Sequence, residues 1–202
     1  LKTCGIRGFN LTMPNKNKIV ELLDELSPEA QLIGAVNTVL NDNGRLIGYN
    51  TDGYGFMQSV RDAGHDITGK NITVMGVGGA SMAICAQSAL DGAASVHIFA
   101  RRTSRYWNRT QKFAENLSAK TGCQVCLFDN DDHTALRDSI AQSYLLINAT
   151  SVGMVPDIDD TIIKDTSLFH PELVVADVVY EPQETRLLRE AKAAGCQTFN
   201  GM

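Results

Sequence analysis

A strand-like run, Ile72-Thr73-Val74-Met75, passes directly into Gly76-Val77-Gly78-Gly79-Ala80-Ser81 and then into a small-residue helix expected over residues 80–91, stopped by Gly92. No other stretch constrains the fold as tightly. Glycines let a backbone turn sharply and approach a ligand closely, and a helix start offers unpaired N–H groups and the positive end of its dipole. A strand–glycine turn–helix junction is the context that a pyrophosphate-binding fingerprint requires; the match to G-x-G-x-x-G is imperfect, because the third glycine position is Ser81. Beyond it, strands expected at 96–99, 124–128, 144–148 and 173–180 alternate with helices at 110–121, 134–142 and 184–194. Such alternation means βαβ units, and with right-handed crossovers it gives a Rossmann-like, doubly wound parallel sheet.

The chain before this region has another texture. Residues 6–12 read as a short strand, and Pro14 is suited to open a helix over 16–26 with Ile19, Leu22, Leu23 and Leu26 on one face. Ser27-Pro28-Glu29 starts a second, shorter helix. Residues 35–40 and 45–49 flank the turn Asn41-Asp42-Asn43-Gly44 as a hairpin, and a helix over 52–63 ends at Gly64. The change of texture lies between residues 64 and 70, so a boundary is expected there, with one unit at 1–66 and a nucleotide-binding domain at 67–202.

Composition removes several function classes. With 44% hydrophobic residues and a net charge of -5, the chain of 202 residues is too apolar and too weakly charged for disorder. No apolar run is long enough for a transmembrane helix, and no signal peptide stands at the start. A pI near 5.3 argues against nucleic-acid and polybasic membrane partners. Five cysteines, Cys4, Cys85, Cys123, Cys126 and Cys196, form no disulfide framework and fit a reducing, cytoplasmic setting. Cys123-Gln124-Val125-Cys126 is a lone CxxC with no second pair, and His65, His97, His133 and His170 lack metal-binding spacing, so no metal is expected. His133, after Asp131-Asp132, reads as a helix start, and Tyr106 and Trp107 read as packing residues. The chain opens at Leu1 in a strand-like run and stops at Asn200-Gly201-Met202, which reads as a piece of a longer protein.

Cofactor choice is read at the end of the second strand of a dinucleotide fold, where NAD binders place a carboxylate for the ribose 2′-hydroxyl. Here the chain runs Ala100-Arg101-Arg102-Thr103-Ser104-Arg105, with no carboxylate and three arginines. Guanidinium groups pair with a 2′-phosphate, so NADP is expected over NAD, with NAD still open.

Polar clusters supply the chemistry: Asn10-Leu11-Thr12-Met13-Pro14-Asn15-Lys16, Gly34-Ala35-Val36-Asn37-Thr38 and Asn50-Thr51-Asp52-Gly53. Amides and hydroxyls at strand ends can hold a polyhydroxylated ligand, and a lysine beside an aspartate can hold an amine near a reacting hydroxyl. Taken singly, each also has a plain reading, a solvated lysine or a helix cap.

Together with the glycine turn, and with Asn148-Ala149-Thr150-Ser151-Val152-Gly153-Met154 and Asp177-Val178-Val179-Tyr180, these segments resemble the shikimate dehydrogenase family, including its quinate/shikimate branch, over essentially the whole chain. The resemblance implies an oxidoreductase that transfers hydride between NADP and a ring carbon, interconverting 3-dehydroshikimate and shikimate in aromatic amino acid (chorismate) biosynthesis. It implies that residues 1–66 are part of a smaller α/β substrate-binding domain, with Lys16 and Asp52 as the catalytic pair and Asn10, Thr12, Asn37, Asp52 and Tyr180 around the substrate. It implies Gly76, Gly78, Gly79 and Ala80 at the pyrophosphate, Arg101, Arg102 and Arg105 near the 2′-phosphate, and Thr150, Val152 and Met154 beside the nicotinamide. Ala100 and Arg102 depart from the family's Asn-Arg-Thr, and Thr103 stands where NAD-accepting members can carry an acid. The family also has a Ser-x-Ser segment earlier and a substrate-touching glutamine later, neither of which falls within these residues. Alternatives are a quinate/shikimate dehydrogenase using either cofactor, a non-catalytic nucleotide-binding module, or another two-domain reductase such as a methylenetetrahydrofolate dehydrogenase. A homodimer is compatible with each.

Overall fold

The structure, a computed structural model, describes residues 5–12 and 14–201. Met13 of the first polar cluster and Cys4 lie outside the described residues. Two sheets organise the chain. The first holds β1 (Gly8–Asn10), β3 (Thr38–Asp42), β4 (Arg45–Tyr49) and β2 (Glu25–Leu26) in the order β1-β3-β4-β2. The hairpin β3–β4 turns at Asn43 and Gly44, both at positive φ, as a tight two-residue turn requires. Helix α1 (Pro28–Ile33) is fixed at both ends by local chemistry: Ser27 Oγ accepts from the Ala30 amide, Pro28 opens the first turn, and Gly34 closes it in the left-handed region.

The helix expected over residues 16–26 is not formed. Its place is taken by a 3-10 turn at Lys18–Leu22 followed by β2, which pairs parallel to β4. The edge of β4 captures this backbone: the Asp24 and Ser27 amides donate to Leu46 and Gly48 carbonyls, and Asp24 Oδ2 accepts from the Leu46 amide. Leu23 and Leu26 reach into the space left by Gly48, where a Cβ would stand 2.5 Å from Leu23 Cδ1. Leu22 is left 71% exposed. Strand-edge pairing outweighs the helical spacing of four apolar residues.

The second sheet contains β5 (Asn71–Met75), β6 (Ser95–Ala100), β7 (Gln124–Asp129), β8 (Leu145–Asn148), β9 (Val174–Asp177) and β10 (Gln197–Asn200), all parallel, in the order β10-β9-β8-β5-β6-β7. Read from β5, this is the 3-2-1-4-5-6 order of a dinucleotide-binding sheet, with its switch point between β5 and β8. Helices α3 (Gly79–Leu90), α4 (Trp107–Thr121), α5 (His133–Gln142) and α6 (Arg186–Ala193) cover it. Ile72, Val74, Val96, Ile98, Leu145 and Ile147 pack against α3 on one face; Met75, Phe99, Leu146 and Val175 pack with Leu136, Ile140, Leu187 and Leu188 on the other. Strand β10 was not anticipated, and β9 ends at Asp177 rather than at residue 180.

Helix α2 (Asp52–Asp62) connects the sheets. Gly53 packs on Ala83, Ser88 Oγ donates to Met57 Sδ, and Arg61 pairs with Asp91 at 2.7 Å. Those three contacts advance together along both helices, so α2 and α3 run side by side in the same direction. Met57 and Val60 of α2 join Ala83, Ala86 and Ala89 of α3 in one core. Among the described residues, no helix is long and apolar enough to cross a membrane.

Candidate active site

Asn37, at the entry to β3, is the centre of the polar site. Its backbone is fixed on both sides, donating to the Tyr49 carbonyl and accepting from the Leu11 amide at 2.7 Å. Its side chain is buried and saturated. Oδ1 accepts from the Thr51 amide and the Thr38 hydroxyl, each at 3.0 Å. Nδ2 donates to Asp52 Oδ1 at 2.7 Å and to Thr51 Oγ1 at 3.0 Å. Asp52 is the first residue of α2, where the helix dipole favours a carboxylate, and its amide is held by Asn50 Oδ1. With Oδ1 engaged by Asn37, its Oδ2 receives Lys16 Nζ at 2.6 Å. Both side chains are partly exposed, 21% for Lys16 and 32% for Asp52, so the pair opens to a ligand.

Asn10 joins through Thr38, whose hydroxyl accepts from Asn10 Nδ2 at 3.1 Å. The structure therefore links Lys16, Asp52, Asn37 and Asn10 in one chain of hydrogen bonds. Thr12 is exposed on the segment between β1 and Lys16. Tyr180 is 62% exposed on the loop that follows β9 of the second sheet, outside the hydrogen-bonded chain around Asn37. Thr38 and Thr51 were not singled out from sequence, although both sit inside motifs that were; their hydroxyls became meaningful only when β3 and α2 met.

The glycine turn has the shape its sequence suggests. Gly76 is at φ +111, and a Cβ there would stand 2.9 Å from the Ala149 carbonyl, so the turn after β5 presses on the loop after β8 at the switch point. Gly78 and Gly79, both exposed, have nothing within 4 Å of a built Cβ, so the start of α3 presents bare backbone to open space. The first-turn N–H groups there have no partner within the helix. Ser81, at the third glycine position, is fully buried and donates to the Gly76 carbonyl at 2.6 Å, tightening the turn that a third glycine would otherwise tighten by close packing. A bare helix start at a switch point fits a pyrophosphate.

Arg101, Arg102 and Arg105 are exposed beyond β6. Arg102 lies 4.6 Å over the buried Trp107 ring, and Arg105 stacks on Tyr106 and donates to its hydroxyl at 2.6 Å. A carboxylate does reach this loop, from the neighbouring strand: Asp129, paired in register with Ala100, accepts from the Arg102 amide at 3.3 Å. Asp132 caps α5 at the Ala135 amide, which places His133 at a helix start. In the CxxC segment, burial pushes the Cys123 thiol up to about 11, and Cys126 lies on β7. Burial likewise raises Cys85 to about 12.

Asn148 organises the loop after β8. Its Oδ1 accepts from the Thr150 amide and hydroxyl, and its Nδ2 donates to the Val152 carbonyl. Thr150 and Val152 are half-buried, whereas Met154 is 43% exposed.

Comparison with known proteins agrees with this architecture. Residues 1–39 match the shikimate dehydrogenase substrate binding domain. Over 201 residues the chain is 49% identical to the shikimate dehydrogenase (NADP(+)) of Listeria innocua, covering 100% of this chain and 69% of that protein. The chain belongs to the shikimate dehydrogenase family. It is 42% identical to a quinate/shikimate dehydrogenase of Escherichia coli, again over 69% of that protein. A crystal structure of shikimate 5-dehydrogenase from Listeria monocytogenes in complex with shikimate and NAD superimposes with a TM-score of 0.97 at 48% identity, covering 100% of this chain and 69% of the other.

Proposed function

We propose that this chain is the catalytic part of a shikimate dehydrogenase that interconverts 3-dehydroshikimate and shikimate with NADP(H). The observation that carries this reading is the Lys16–Asp52 pair at 2.6 Å, aimed by the buried Asn37 and open to a ligand. Residues 1–66 serve the substrate and residues 67–202 the nucleotide. Gly76, Gly78, Gly79 and Ala80 hold the pyrophosphate, Arg101, Arg102 and Arg105 the 2′-phosphate, and Thr150, Val152 and Met154 flank the nicotinamide. Reduced nicotinamide, when bound, supplies the hydride that the carbonyl carbon accepts.

The chain's own residues handle the proton. Lys16 donates from Nζ to the developing alkoxide, and in the reverse direction takes the proton from the hydroxyl. Asp52 holds the amine in place through Oδ2 while its Oδ1 stays with Asn37. Asn10, Thr12 and Tyr180 complete the set around the ring hydroxyls. We place the enzyme in the cytoplasm, acting in aromatic amino acid biosynthesis.

The test is NADP+ reduction on addition of shikimate, with wild type and Lys16→Ala compared. Turnover should fall by about 10²–10⁴-fold in the variant, the range for loss of a positioned acid–base group. Equal turnover in the two proteins overturns the assignment of Lys16. A wild type that turns over quinate and NAD+ better than shikimate and NADP+ moves the chain to the quinate/shikimate branch.

A further inference from the structure

Asp177 is an aspartate with no solvent exposure, and nothing in the reaction above uses it. It ends β9 beside Asn148, the last residue of β8, to which it is paired in register. Its Oδ1 accepts from Asn148 Nδ2 at 3.0 Å and from the Val179 amide at 2.9 Å. Its Oδ2 accepts from the Thr185 hydroxyl at 2.7 Å, at the start of α6. One carboxylate thus binds three segments: the loop of residues 149–154 through Asn148, the loop of 178–184 through Val179, and the α6 cap. The two loops also meet directly, since the Val155 amide donates to the Glu181 carbonyl and Gly153 packs on Thr185.

A buried carboxylate is costly for a fold to keep. Burial raises the Asp177 carboxyl above its ordinary value, against three hydrogen bonds that pull it down. An apolar residue would close β9 without that cost. What the carboxylate provides is three fixed directions at the point where two outgoing loops diverge. Those loops carry Thr150, Val152 and Met154 on one side and Tyr180 on the other.

We infer that Asp177 is a positioning residue, locking the nicotinamide-side loop and the Tyr180 loop into one rigid unit through Asn148, Val179 and Thr185. The inference rests on the dehydrogenase reading of this cleft, and it adds a member that touches neither substrate nor cofactor. It separates the two halves of the cofactor site. The glycine turn and the arginine loop follow β5 and β6 and make no hydrogen bond to Asp177; the glycine turn touches the 149–154 loop at Gly76, against Ala149 and Thr150, so the adenine half should feel its loss far less than the nicotinamide half.

The experiment compares wild type, Asp177→Ala, Asp177→Asn and Thr185→Val. Binding is measured with NADPH and with 2′-phospho-ADP-ribose, which lacks the nicotinamide, alongside shikimate-dependent turnover. Asp177→Ala should lower NADPH affinity about tenfold and kcat about 10²-fold, the cost of a misplacement near 1 Å. Affinity for the nicotinamide-free fragment should stay within about twofold, because the contacts that hold it are on other strands. Asp177→Asn should restore most of the loss, since its Oδ1 can keep both the Asn148 and Val179 bonds. If Asp177→Ala does not fold, Thr185→Val, which removes the donor to Oδ2 together with the cap that Oγ1 gives the Leu188 amide, should show the same split on a smaller scale. A parallel loss of NADPH and fragment affinity, or no loss of either, overturns the inference. Wild type that binds NADPH without turning over shikimate sinks the dehydrogenase reading, yet the binding split still decides the role of Asp177.

Discussion

Gly53 and Gly55 stand two positions apart in α2, and the structure assigns opposite signs to their replacement by alanine. A Cβ on Gly53 would lie 2.2 Å from the Ala83 carbonyl oxygen and 2.7 Å from its carbon, backbone atoms of α3 that no rotamer change can move. Relieving the first contact even to 3.0 Å requires the helices to part by about 0.8 Å in a closely packed interior. Overpacking of this kind costs about 1–3 kcal/mol, or more where backbone must shift. For a domain of this size that lowers Tm by roughly 2–12 °C. Asp52 precedes Gly53 in the chain, so the same displacement reaches the carboxylate that holds Lys16. A misplacement approaching 1 Å is expected to reduce turnover by up to about 10²-fold. Gly55 is exposed, with nothing within 4 Å of a built Cβ and no positive φ. Alanine there should stabilise by about 0.5–1 kcal/mol through helix propensity alone, with turnover unchanged. Thermal denaturation and shikimate-dependent NADP+ reduction on both variants form the assay. A Gly53→Ala protein that keeps wild-type Tm and turnover, or a Gly55→Ala protein that loses as much, refutes the account of how α2 seats Asp52.

Three further outcomes follow from the site. Asn37→Ala removes the bond that aims Asp52 and leaves the Thr51 amide without its acceptor; kcat should fall about 10–100-fold, less than for loss of Lys16, while a retained wild-type kcat would show that Asp52 needs no such aim. Arg105→Ala should raise KM for NADP+ about tenfold, in line with one charge-assisted bond to phosphate, and leave KM for NAD+ nearly unchanged; equal effects on both would remove Arg105 from the 2′ site. His97 packs edge-on to Phe128 with Nδ1 2.9 Å from Ser139 Oγ, and burial lowers its pKa below the ordinary 6.5. A base depressed in the fold contributes stability that is present above pH 6.5 and lost as pH falls through the folded value. Urea midpoints should therefore drop less between pH 7 and pH 5 in His97→Gln than in wild type, and identical drops would contradict the shift.

Much of the second sheet was legible because its signals are local. Apolar runs, glycine stops and helical periodicity lie within a few residues of one another, and the inner strands β5, β6, β8 and β9 are buried on both faces, so packing and propensity agree; the edge strand β10, which was not anticipated, is only half-buried. The misread segment at residues 16–26 fails for the opposite reason. Its spacing is helical, yet Gly48, more than twenty residues later, leaves the gap that Leu23 and Leu26 fill. Asp129 escaped notice at the arginine loop because strand order brings it there: the second strand's end carries no acid of its own, and β7 supplies one from the side. Ser81 reads as a flaw in the glycine fingerprint until its hydroxyl is seen on the Gly76 carbonyl.

In the sequence the catalytic pair lies in two distant motifs that only the family resemblance joins, and the spacing of that pair from the glycine turn comes from helix packing that no motif encodes. Lys16 and Asp52 are 36 residues apart. Asp52 begins α2, the glycine turn begins α3, and the two helices run in the same direction with Gly53 seated against Ala83. Ala83 lies four residues into α3, about 6 Å along its axis. The start of α2 is thus fixed about one turn from the start of α3. In the proposed reaction, that contact sets the distance between the proton-handling pair and the cofactor, so the glycine of N-T-D-G matters as much as the aspartate before it. Any residue bulkier than glycine at position 53 changes the spacing of the two halves, whatever it does to the ion pair itself.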